Sequence, residues 1–130
     1  MLGGLFVSAE VKLIIDALNK LESFWNGPGF DIVKRGAEKA IRSNSQDAKT
    51  ALSKGVSPKL VVLNYLFNQC YYDLSSGEHH LYRGALNPTG RDILRVFDLA
   101  LRSLRELGDI STEDAQKQKA AMMDRIAGMG

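Results

Sequence analysis

One segment of this chain is apolar on nearly every side of a helix, and it constrains how everything else can pack. It begins at Ser57-Pro58, an N-cap residue followed by proline at the first helical position, and continues to about Ser75, just before Gly77. Its apolar positions are Leu60, Val61, Val62, Leu63, Tyr65, Leu66, Phe67, Cys70, Tyr71, Tyr72 and Leu74. A helix of this kind needs cover on all sides, so it lies in a core or in a seam between subunits.

The other segments show the helical repeat of apolar residues, bounded by residues that start or stop helices. We predict further helices at about 8–25, 31–43, 45–54 and 87–107, and a last one that starts at Ser111. The predicted N-caps are Ser8, Asp31, Asn87 and Ser111. No segment reads as a good strand. The sequence therefore predicts an all-α fold, a single compact bundle of five to six helices over residues 1–130, with the fourth and fifth helices central.

Composition narrows the class of protein. A chain of 130 residues fits one domain, and its apolar fraction of 45% is ordinary for a globular protein. The single cysteine, Cys70, excludes an internal disulfide framework and fits a reducing compartment. The apolar opening Met1–Val7 has no basic region before it, and no apolar run approaches the ~20 residues of a membrane helix. We expect a cytoplasmic protein of bacterial style, with no membrane segment and no cofactor.

A basic region covers the second and third predicted helices and the start of the fourth. Residues 31–59 carry seven basic and three acidic side chains, a net charge of +4. The basic ones are Lys34, Arg35, Lys39, Arg42, Lys49, Lys54 and Lys59. Such a concentration of positive charge is the electrostatic footprint of a phosphate binder. Nucleic-acid binding through this region is therefore one functional alternative.

Part of that region resembles the core of a helix-turn-helix. The residues that carry the resemblance are Ala51, Gly55, Val56, Ser57 and Val61. The resemblance spans about sixteen residues and implies that the helix after the turn reads DNA. Asn64, however, stands where the motif needs an apolar residue. The supposed recognition helix, residues 59–66, also offers few polar side chains for base edges.

The connection between the fourth and fifth helices is the second candidate. It concentrates polar side chains that could bind an anion or a small ligand, namely Glu78, His79, His80, Tyr82, Arg83 and Arg91. Polar loops on rigid supports commonly form sites, and the next helix N-terminus can attract an anion. Adjacent histidines in an extended stretch point to opposite sides, so we predict no metal site here. The alternative is a polar connection whose side chains only form caps and local hydrogen bonds.

An arginine-rich stripe follows on the fifth helix, with Arg91, Arg95, Asp98, Arg102 and Arg105 on one face. It could meet an acidic partner, but we favour a solvated face with local pairs such as Arg95–Asp98 and Asp98–Arg102. Nucleophilic chemistry has little support, because Cys70 lies in a very apolar helix where its thiol is inert. No phosphate-binding glycine loop occurs.

The function expected from these observations is a non-catalytic interaction or regulatory module that self-associates. The fourth helix offers more apolar surface than a short bundle readily covers, and the last helix has a weak apolar face. A two-fold homodimer is the commonest closed assembly, so we expect one, with room for a protein partner. The basic region and the 78–91 connection remain open as alternatives.

Overall fold

The computed structural model describes residues 8–81 and 84–128, and all regular structure within them is helical. The helices are α1 Ala9–Trp25, α2 Pro28–Ser43, α3 Ser45–Ser53, α4 Pro58–Ser75, α5 Pro88–Glu106 and α6 Thr112–Ala127. Four predicted boundaries are confirmed by their caps. Side chains of Ser8, Asn87, Ser57 and Ser111 each accept a hydrogen bond from a backbone N–H three residues later.

Helices α4 and α5 form the centre of the bundle, as predicted. Helix α4 packs against α1, α2 and α5, and also contacts α3 and α6. Phe67 of α4 stacks on Phe97 of α5 with ring centroids 5.1 Å apart. The buried residues of α4 are Val61, Val62, Leu63, Leu66, Cys70 and Leu74. The apolar surface of α4 is thus covered largely within one chain, although Tyr72 stays exposed.

The start of α2 corrects one prediction. Asp31 was the expected N-cap, but α2 begins at Pro28 and Asp31 lies in its first turn. Gly27 takes the N-cap position and provides no side chain for capping. Asp92 of α5 replaces it, because its Oδ2 accepts a hydrogen bond of 2.7 Å from the Gly29 N–H. A carboxylate from another helix therefore satisfies a donor that local sequence leaves open.

The same carboxylate holds Arg95, which reaches the end of α1. The Arg95 Nε donates to Asp92 Oδ1 at 2.7 Å. Its Nη2 donates to the carbonyls of Trp25 and Asn26, both at 3.1 Å. A cation at a helix C-terminus and an anion at a helix N-terminus are each favoured by the helix dipole. We call Asp92 and Arg95 the junction pair, since they join α1, α2 and α5.

Two glycines let α2 approach its neighbours closely. A Cβ on Gly29 would lie 2.6 Å from the Ile93 backbone nitrogen of α5. A Cβ on Gly36 would overlap the side chain of Gln69 on α4. Glycine inside a helix costs ~1 kcal/mol relative to alanine. The close packing of α2 against α4 and α5 explains why glycine stands at both positions.

We predict that Gly29→Ala destabilises the fold by about 1–3 kcal/mol, because its methyl group would collide with α5 backbone that cannot rotate away. Urea unfolding followed by circular dichroism measures the change. Gly128→Ala is the matched control, since a Cβ there meets nothing closer than 3.5 Å. Equal effects from both substitutions would contradict the close approach of α2 and α5.

A second prediction concerns the pH dependence of the junction pair. Burial alone would raise the pKa of Asp92, but hydrogen bonds from Arg95 and Gly29 outweigh it and lower the pKa. Its contribution to stability is therefore present above the unfolded pKa of about 4, and is lost as pH falls through the lower folded pKa. Asp92→Asn should cost about 1.5–3 kcal/mol at pH 7, the range for hydrogen bonds to charged groups, and less near pH 3, which lies below the unfolded pKa.

Asp98→Asn provides the comparison for this measurement. Asp98 pairs with Lys119 at the surface, where such pairs contribute ~0–1 kcal/mol. The measurement is the free energy of unfolding at pH 7 and at pH 3, for both variants and for the original chain. A pH-independent effect of Asp92→Asn would show that its charge does not act as described.

Candidate functional site

The connection between α4 and α5 folds into a small hairpin. His80 and Leu86 form an antiparallel bridge, and the Leu81 N–H donates to the Ala85 carbonyl at 2.6 Å. The Asn87 N–H donates to the His79 carbonyl at 3.0 Å. Two of the predicted site residues, Tyr82 and Arg83, lie outside the described residues. The remaining ones can be placed on this frame.

His79 and His80 have different contacts. His79 is buried, and a Cβ on Gly90 would lie only 2.6 Å from its carbonyl oxygen. The His80 Nε2 lies 2.7 Å from the Leu74 carbonyl oxygen at the end of α4. Both histidines therefore pack the hairpin against the ends of the two central helices.

Glu78 and Arg91 flank the hairpin. Glu78 is exposed, and Arg91 Nη1 donates to the Leu86 carbonyl at 2.9 Å. Arg91 thus braces the hairpin, and its other guanidinium N–H groups remain for further contacts. Ligand binding by Glu78, His79, His80 and Arg91 stays a prediction. Two of these side chains, His80 and Arg91, also make hydrogen bonds that hold the hairpin.

Polar groups at the end of α4 include three buried atoms that have no hydrogen-bond partner among the described residues. These atoms are Asp73 Oδ2, Ser75 Oγ and His80 Nδ1. Burial raises the pKa of Asp73, while the hydrogen bond from Gln69 and the nearby His79 oppose the rise. Buried unpaired polar atoms cost stability, so this end of α4 is a local weak point. Across residues 8–81 and 84–128, no group of three His, Cys, Asp or Glu residues is placed to hold a metal.

The seven basic residues of the predicted nucleic-acid region spread over three helices and a turn. Two of them have acidic partners, since Lys34 pairs with Glu22 and Arg42 lies 3.6 Å from Glu38. The remaining ones are Arg35, Lys39, Lys49, Lys54 and Lys59. Partial neutralisation weakens the positive field of this region. Its predicted binding of nucleic acid stays a prediction.

The arginine stripe on α5 differs from its predicted pairing. Arg95 does not pair with Asp98, because Asp92 one turn earlier holds it at the α1–α2 turn. Asp98 binds Lys119 of α6. The interhelical contacts of this surface therefore prevail over the predicted pairs along α5. Arg102 and Arg105 stay exposed beside a shallow groove between α5 and α6.

Helix α1 carries two large apolar side chains that are exposed to solvent. Phe24 is 78% exposed and Leu13 is 56% exposed. With Ala17 and Leu21 they line a groove of about 700 Å³, together with Asp16, Asn19, Lys20, Pro58 and Lys59. We call the set Leu13, Asp16, Ala17, Lys20, Leu21 and Phe24 the α1 outer face.

The sequence predicts one apolar stripe on α1, formed by Val11, Ile14, Ile15, Leu18, Leu21 and Trp25, and this stripe does not include Leu13 or Phe24. All of its members except Leu21 are buried. Leu13 and Phe24 lie off it, together with Ala17 at helical spacing. The signal in the sequence that indicates this face is a second apolar stripe on the same helix, because two stripes cannot both face one small core.

In comparisons with known proteins, no family model, no curated protein and no solved structure matches this chain. The described helices are also too short or too polar for any of them to cross a membrane.

Cys70 gives a prediction for the centre of the fold. It is fully buried in α4, and burial, with a smaller contribution from Asp73, raises the pKa of its thiol well above the ordinary value. We expect Cys70→Ala to lower the free energy of unfolding by about 1–2 kcal/mol, since it removes a packed side chain. The native thiol should react with a thiol reagent only on unfolding.

A relocated cysteine serves as the control for that labelling. In a Cys70→Ala background, Tyr72→Cys places a thiol at a position that is 69% exposed on the same helix. In the folded protein, this thiol should react with the reagent as fast as a thiol in an unfolded chain. Fast labelling of native Cys70 would contradict its burial.

Proposed function

We propose that this protein is a non-catalytic interaction module that self-associates through the α1 outer face. The observation that carries the proposal is the exposure of Phe24 and Leu13 beside a groove that the same helix helps to form. Monomeric proteins expose scattered apolar residues, but contiguous apolar patches with polar rims are typical of interaction sites.

Both the composition and the placement of the face support a protein partner. Its centre is apolar, while Asp16, Asn19, Lys20 and Lys59 lie around it. An apolar centre inside a polar rim is the usual anatomy of protein interfaces, and aromatic side chains are prominent among their anchors. The groove is open along α1, so it suits another helix better than a small molecule.

A second copy of this chain is the partner we propose. The face carries one acidic and one basic residue, Asp16 and Lys20, so it has opposite charges to offer an identical face. Closed two-fold dimers use the same patch on both subunits, which requires such self-complementarity. The buried apolar surface of α4 is taken up within the chain, so self-association through α1 replaces the seam on α4 that sequence analysis favoured.

The two alternatives rest on other surfaces. Nucleic-acid binding would use the basic residues of 34–59, and ligand binding would use the hairpin and Arg91. Among the described residues, basic side chains are partly paired and the hairpin side chains bond to backbone. Leu13 and Phe24 are not among the described residues that pack against the core, and for that reason the α1 outer face ranks first.

We expect the chain to have twice its single-chain mass of 14.3 kDa at high concentration, measured by sedimentation equilibrium. Phe24→Ser should raise the dissociation constant by about tenfold or more, because buried aromatic anchors commonly contribute over ~1 kcal/mol. The side chain is exposed in one chain, so the fold and its helical circular dichroism should be unchanged.

Tyr72→Ser is the matched control for that experiment. Tyr72 is a similarly exposed aromatic residue on α4, away from the proposed face. Its substitution should leave the dissociation constant unchanged. A chain that stays monomeric at millimolar concentration would overturn the proposed function.

A further inference from the structure

The arrangement of apolar and charged residues on α1 reads nearly the same in both directions. Going outward from its middle, each side of the outer face has one charged residue and ends at a large apolar residue, with Leu21 as an additional apolar residue on the C-terminal side. Asp16 and Leu13 lie toward the N-terminus, and Lys20 and Phe24 lie toward the C-terminus. Ala17, a small residue, lies near the centre, where it permits another helix to come close.

The midpoints of the two pairs nearly coincide. Leu13 and Phe24 are separated by about 16 Å along the helix, and Asp16 and Lys20 by about 6 Å, given a rise of 1.5 Å per residue. Both separations have their centre at or just after Leu18, within about 1 Å of each other. One axis through that point therefore serves both the apolar pair and the charged pair.

We propose that two copies pair their α1 helices antiparallel about a two-fold axis near the middle of α1. Leu13 then packs against Phe24 of the partner subunit, and Asp16 forms an ion pair with Lys20 of the partner subunit. This inference rests on the proposed self-association and specifies its face, its direction and its register.

Helical geometry places the two charges correctly for this arrangement. At 100° per residue, Asp16 and Lys20 lie toward one edge of the outer face, while Leu21 lies toward the other edge. A two-fold axis in the plane of the interface brings like edges of the two copies together. Asp16 of one copy is then beside Lys20 of the partner subunit, and the two Leu21 side chains lie along the opposite edge, about 8 Å apart in the direction of the helix.

A parallel pair would not satisfy the same groups. In a parallel pair the two-fold axis runs along the helices and brings opposite edges of the outer face together, so Asp16 and Lys20 of one copy lie on the edge beside Leu21 of the partner subunit. Neither charge then meets an opposite charge of the partner subunit across the interface. The antiparallel arrangement is therefore the one in which the charges are complementary.

Charge reversal provides a test that depends on this register. In Asp16→Lys, both charged positions of every copy are basic, and in Lys20→Asp, both are acidic. Each variant alone should dimerise about tenfold more weakly than the original chain, because two ion pairs per dimer become repulsive. A 1:1 mixture of the two variants should form heterodimers at near-original affinity, since every acidic position then meets a basic one.

The double variant, Asp16→Lys with Lys20→Asp, should also recover most of the original affinity. Lys39→Asp on α2 and Asp124→Lys on α6 are the controls, because both residues are exposed and away from α1. Sedimentation equilibrium gives the dissociation constants, and circular dichroism checks that each variant folds.

The outcomes separate the register from the proposed function. If the original chain dimerises and neither single variant weakens it, or if the mixture does not recover, the antiparallel register is wrong and self-association stands. If the variants dimerise only with each other, the register is supported. If the original chain is a monomer throughout, both the register and the proposed function fail.

Discussion

The structure depends on a single carboxylate, that of Asp92, and on the arginine beside it. Helix α2 begins at Pro28 after the N-cap residue Gly27, which has no side chain to accept a hydrogen bond, and α1 ends without a basic residue in its last turn. Asp92 and Arg95 of α5 supply both missing groups from one helix. Because of this, α5 holds the tight turn between α1 and α2, while α1 itself packs against α2, α3 and α4.

The junction pair also explains why α1 has one face free. Helix α1 turns its residues Val11, Ile14, Ile15 and Leu18 toward α2 and α4, and Arg95 holds its C-terminal end against α5. Once those contacts are set, Leu13 and Phe24 point away from the bundle. A rigid, fully anchored helix with an apolar outer stripe presents its side chains with little loss of conformational entropy on binding. The features that stabilise α1 therefore also make it a suitable docking surface.

Local signals in the sequence were enough for most of the fold. Caps such as Ser57 with Pro58, and stops such as Gly55, act over three or four residues, so their effect can be read without tertiary information. The start of α2 could not be found in this way, because its cap comes from Asp92, sixty-three residues from Gly29. The pairing of Arg95 failed for the same reason. On the candidate site, residue types in the 78–91 connection were visible, but their bonds to Leu74 and Leu86 were not, since these depend on the hairpin fold.

The hairpin between α4 and α5 is tied to the far end of the chain by Gly84. Its φ is +77°, and a Cβ there would lie 2.8 Å from the Ile126 carbonyl oxygen and 2.9 Å from the Ala127 Cα. The last turn of α6 therefore packs directly against the hairpin at Gly84. A side chain at position 84 would have to displace the end of α6, so the two segments are linked by packing although more than forty residues separate them in the chain.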